Sequence, residues 1–78
     1  MMAFKVLESV VLTRELAEHG LKVGDVGAIV QVCERDGFEV EFVTADGKTQ
    51  ALVTLTKADI RHLEANDLVA VRRLDRLT

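Results

Sequence analysis

The clearest alternation of apolar and polar positions in the chain runs from Phe38 to Val43. Phe38, Val40 and Phe42 fall to one side, and Glu39 and Glu41 fall to the other. Side chains of an extended chain alternate between two faces, so this is the pattern of a half-buried strand. Val6 to Thr13 reads as an earlier strand, with β-branched Val10 and Val11 in its centre. Val26 to Glu34 reads as a second, in which Val26, Ala28, Val30 and Val32 alternate with Gly27, Ile29, Gln31 and Cys33. Gln50 to Thr56 supplies a fourth through Ala51, Leu52, Val53 and Leu55, and Ile60 to Leu63 a short fifth.

The breaks between these runs carry turn residues. Arg35-Asp36-Gly37 and Asp46-Gly47 mark two tight hairpins. Arg14 to Gly24 is polar and charged, with Leu16 and Leu21 as apolar pins; it tolerates a helical turn, but its length and glycines favour a long loop. Gly20 and Gly24 suit a chain reversal, and Asp25 can close the turn by bonding nearby backbone. Gly27, inside a strand pattern, signals a bulge, a bend or a close backbone contact. Thr56-Lys57-Ala58-Asp59 has the form of a helix start, with room for a single 3₁₀ turn. Meandering strands, one such turn and a closing strand predict an all-β fold, a small five-stranded SH3-like barrel in which closure removes the exposed edges. The single domain spans residues 1–78, with a core over about 6–63 and a C-terminal extension, 64–78. The extension is an extra strand through Leu68-Val69-Ala70-Val71, or a short helix capped by Asn66 or Asp67.

Composition narrows the picture. With 78 residues and 49% hydrophobic positions the chain can build one small core, but only three residues, Phe4, Phe38 and Phe42, are aromatic. The formal charge of −3 opposes an electrostatic grip on nucleic acid. A local basic strip remains in Arg61, Arg72, Arg73 and Arg76. Cys33 is the one cysteine, so no internal disulfide or thiolate cluster can form; it falls in the less buried register of its strand and reads as a small packed thiol. The first residues lack the apolar core of a signal peptide, and no apolar run approaches the roughly 18 residues of a membrane span. A cytoplasmic location is the expectation.

Several stretches together resemble a family of small, uncharacterised bacterial proteins, classed as a domain of unknown function with an SH3-like barrel. They are Val11-Leu12-Thr13, Leu16-Ala17-Glu18-His19-Gly20-Leu21, Gly24-Asp25-Val26-Gly27, Val40-Glu41-Phe42-Val43, Gln50-Ala51-Leu52-Val53-Thr54-Leu55 and Leu68-Val69-Ala70-Val71-Arg72. Two positions depart from the family's pattern. Ala17 stands where a proline usually precedes Glu-His-Gly, and His62 where proline often follows the arginine of the closing strand. The resemblance implies a stand-alone barrel, often the small partner of another bacterial gene product. It implies no catalytic residue.

Candidate chemistry is sparse. Glu18-His19 pairs a carboxylate with an imidazole, but acid–base work also needs a nucleophile or metal close by, and loop capping is the better reading. No metal-ligand spacing, P-loop, dinucleotide fingerprint or nucleophile elbow is present, so no cofactor or metal is expected. Glu39 and Glu41 form an acidic face that is a solvated surface or a dock for a basic partner. The expected function, with the resemblance taken in, is a non-enzymatic protein-interaction module binding another bacterial protein, such as the product of an adjacent gene, as an antitoxin- or immunity-type partner or accessory subunit. Its contact residues would be Glu18, His19, Leu21, Glu39 and Glu41, and self-association is compatible with the small core. The alternative is a nucleic-acid-binding barrel using Arg61, Arg72, Arg73 and Arg76.

Overall fold

In a computed structural model, described here for residues 3–74, the five expected strands are present. They are β1 (Ser9–Leu12), β2 (Val26–Cys33), β3 (Gly37–Val43), β4 (Thr49–Thr56) and β5 (Ile60–His62). All pairs are antiparallel, and the sheet order is β4-β3-β2-β1-β5. One face carries the core: Val10 and Leu12 of β1, Ile29 of β2, Phe38, Val40 and Phe42 of β3, Ala51 and Leu55 of β4, and Ile60 of β5. Leu16 and Leu21 complete it from the long loop. Their backbones bridge each other through Leu16 N–H to the Leu21 carbonyl and Leu21 N–H to the Leu16 carbonyl. The alternation of β3 thus has the physical meaning assigned to it, with the phenylalanines and Val40 inward.

The expected SH3-like barrel is not formed. β4 and β5 lie at opposite ends of the sheet order, so the sheet is open and keeps two edges. β5 is three residues long and pairs along its whole length with β1, Leu12 opposite Ile60 and Val10 opposite His62. The turn that delivers β5 is held to the chain just after β1. Thr13 N–H donates to the Asp59 carbonyl, Thr13 Oγ1 to the Ala58 carbonyl, and Arg14 Nε to Asp59 Oδ1 at 2.7 Å. These bonds direct β5 to β1 and away from β4.

Two local expectations also change. The 3₁₀ turn sits at Ala17–His19, inside the loop, and ends at Gly20 in the left-handed region. Thr56 to Asp59 forms a plain turn, in which Asp59 Oδ2 accepts from both the N–H and the hydroxyl of Thr56. A bulge at Val30 interrupts β2: Ile29 pairs with Val40, whereas Gln31 pairs with Glu39. Gly27 and Ile29 are the buried residues of β2, and Val26, Val30 and Val32 are exposed. Gly27 makes the expected close contact, its backbone lying against Phe42 and Val40.

The C-terminal extension is neither strand nor helix over residues 63–74. It crosses the side of the sheet opposite the core, where Leu63, Leu68 and Val69 border a small hollow with Val11 and Val26. Arg76 and the remainder of 75–78 lie outside the described residues.

Candidate functional site

Three features stand out on the surface left by this fold. The first is the side of the sheet opposite the core. Glu41 of β3 stands between Ala28 of β2 and Leu52 of β4, and Glu39 stands between Gln31 and Thr54. Thr49 Oγ1 donates to Glu41 Oε2 at 2.5 Å and fixes that carboxylate over the sheet. Around these acids are exposed apolar side chains: Leu52 keeps 56% of its surface, Val43 57%, and Val30 is also exposed. A strip of carboxylates edged by aliphatic groups suits a surface carrying both cations and apolar side chains.

The second is the anchor of the C-terminal extension. Arg72 reaches back to the loop turn, Nε donating to Asp25 Oδ1 at 2.9 Å and Nη2 to Asp25 Oδ2 at 2.5 Å. The same Nη2 donates to the Gly20 carbonyl at 2.9 Å. Asp25 Oδ2 also accepts the Lys22 N–H, closing the turn at Gly24 as its sequence suggests. Partial burial works against charge on Asp25. The hydrogen bonds from Arg72 and Lys22, with the charges of both side chains, outweigh it and hold the carboxyl below its ordinary pKa. Leu21, Val26, Phe42 and Val43 floor an open cleft of about 400 Å³ beside this anchor, with Ala70 to Leu74 as one wall.

The third is His62. It shares the core-side face of the sheet edge with Val10 and stacks on Phe4, ring centres 4.2 Å apart, while Phe4 meets Phe38 edge-on at 5.2 Å. Its Nε2 is buried and stands 3.5 Å from Glu8 Oε1. Aromatic packing explains this position without invoking chemistry at the ring.

The sequence-level candidates separate accordingly. Glu39 and Glu41 share one strip. Glu18 and His19 sit on the 3₁₀ turn, tied to β4 by Gln50 Nε2 donating to the His19 carbonyl, so the backbone of His19 rather than its imidazole makes that link. Leu21 is a core residue, 3% exposed, and cannot serve as a surface contact without rearrangement. Among the arginines, Arg61 is bidentate to Asp67, at 2.9 and 3.0 Å, and Arg72 is bidentate to Asp25. Both guanidiniums serve to fasten the C-terminal extension, and Arg73 is left exposed. Sequence reasoning missed Leu52 and Val43 as surface residues. The two-residue period that placed Glu39 and Glu41 together also places Val43 with them, whereas Leu52 joins them through the register of β4 on β3.

Among the described residues no group of three or more His, Cys, Asp or Glu side chains is placed to hold a metal ion. No helix among them is long and apolar enough to cross a membrane. No curated protein and no solved structure matches the chain. One family model does, a domain of unknown function, DUF4926, over residues 6–62, and the chain belongs to that family.

Proposed function

We propose that this protein is a non-enzymatic binding protein that docks a partner protein through the acidic strip of its open sheet, as an accessory or antitoxin-like subunit. The observation that carries this reading is the arrangement of Glu39 and Glu41 beside exposed Leu52 and Val43. Apolar side chains supply area to bury on contact, and the carboxylates, Glu41 held by Thr49, select a partner with lysine or arginine facing them. The formal charge of −3 adds long-range attraction for a basic surface. Engagement of Arg61 and Arg72 within the molecule supports a protein partner over a nucleic acid.

The test is affinity purification of tagged protein from its own host, comparing the native sequence with Glu39→Lys/Glu41→Lys. A stoichiometric protein retained by the native form and lost from the variant is expected. Retention of the same proteins by both forms would sink the reading, and so would co-purified nucleic acid that leaves at high salt.

A further inference from the structure

We infer that the free edge of β4 pairs with the β4 of a second copy, antiparallel, with Leu52 opposite its own counterpart, giving a continuous ten-stranded sheet. β4 is an end strand of eight residues, and its outer side has no neighbour in the sheet. Natural edges are usually blunted by proline, charge or shortness. Thr49 to Thr56 contains no proline and no charged residue, and its one irregularity, at Gln50, lies near the hairpin end. The other edge is different: β5 has three residues, and its central Arg61 is tied to Asp67.

Side-chain faces and charge select the second copy and the register. Residues opposite each other across two strands lie on the same face of the sheet. Ala51, Val53 and Leu55 face the core side and Leu52, Thr54 and Thr56 the other, so only registers that keep these sets apart are open. With Leu52 on the two-fold axis, Val53 meets Ala51, and past the irregularity at Gln50 Thr54 meets Thr49, both on the Glu41 face. Lys57 then falls beside Asp46 of the second copy, and the lysines that flank the strand avoid each other. Shifting the axis to Val53 would leave Leu52 opposite Thr54. The chosen register buries Leu52 against itself and places Glu41 in a row Ala28-Glu41-Leu52 that continues into its mirror in the second copy. An edge contact of this width is at the small end of specific interfaces, so the dimer is expected to dissociate at about micromolar concentration.

The experiment uses purified protein alone, so its outcome is independent of any partner protein. Sedimentation over a concentration series should move from the 8.6 kDa monomer towards twice that mass. Leu52→Lys should remain monomeric with an unchanged circular dichroism spectrum. In a Cys33→Ser background, Leu52→Cys should form a disulfide-linked dimer at least about tenfold faster than Thr54→Cys. Two thiols at position 54 would be displaced by four residues, at about 3.4 Å each, beyond disulfide reach. A monomer at every concentration overturns the proposal. So does a dimer that survives Leu52→Lys, or one in which Thr54→Cys cross-links as fast as Leu52→Cys.

Discussion

A methyl group on Gly27 would stand 2.8 Å from Phe42 Cε2 and Val40 Cγ1, and 2.9 Å from the Glu41 carbonyl. The carbonyl belongs to a paired strand and cannot retreat cheaply. Gly27→Ala should therefore lower stability by about 1–3 kcal/mol through overpacking, read as a lower urea midpoint at unchanged slope. The opposite case is the β2–β3 reversal, where Arg35 and Asp36 both hold positive φ, 64° and 63°. Left-handed backbone strains residues that carry a Cβ, and asparagine and glycine tolerate it best. Arg35→Asn with Asp36→Gly should raise stability by about 1 kcal/mol, measured by thermal melting. Losing the Asp36 carboxylate matters little, because its contact with Lys57 is 4.0 Å long and exposed on both sides. Gly27 was legible, since a glycine within a strand pattern needs a reason. The strained pair was not: Asp36-Gly37 suggested the turn residues, whereas Gly37 already belongs to β3 and an arginine leaves no signal for positive φ.

Strand positions were readable because hydrophobic alternation is local, and β3 shows it undisturbed. β2 misled for the same reason. Val26, Ala28, Val30 and Val32 look like the inward set, but Gly27 must be inward to admit the Phe42 ring, and the bulge at Val30 then resets the period. The extension after β5 was illegible in a different way. Leu68, Val69 and Val71 suggested a strand or a helix, yet all three are exposed, and what positions the segment is the fork of Arg72 on Asp25, 47 residues away. Arg72→Ala should cost about 1 kcal/mol of stability, the scale of a partly exposed, charge-assisted contact. Its sharper signature is local. Amide exchange in residues 63–74 and at Gly24 and Asp25 should quicken while that of β3 stays unchanged, and Arg72→Lys should restore part of the protection by supplying charge without the fork. Equal protection in Arg72→Ala and the native protein would show that the extension is held by other contacts.

Closure of the sheet is decided by contacts that no strand pattern records, since the same five strands serve an open sheet or a barrel. Here a set of carboxylates does much of the joining. Asp59 ties the β4–β5 turn to Arg14, Asp67 ties the extension to Arg61, and Asp25 ties its end to Arg72. All three have lowered pKa values. For Asp59 the Thr56 N–H is the main cause, with Arg14 and the Thr56 hydroxyl adding to it against partial burial. For Asp67 the Arg61 hydrogen bonds lead, with the Glu64 N–H, and bring it to about 2. A carboxyl whose folded pKa lies below its unfolded value binds protons more readily when unfolded, so its stabilisation is complete above the unfolded value and is lost as pH falls towards the folded one. The window for Asp67 therefore runs from 3.8 down to about 2, and those of Asp25 and Asp59 begin at the same upper limit. Urea midpoints should be level with pH above that limit and fall through the window. Asp25→Asn/Asp67→Asn should start from a lower midpoint and fall less steeply, because two of the three linked protons are gone. An identical slope in the double variant would place the acid sensitivity elsewhere in the molecule, and would remove the extension's anchors from the forces that keep the sheet covered.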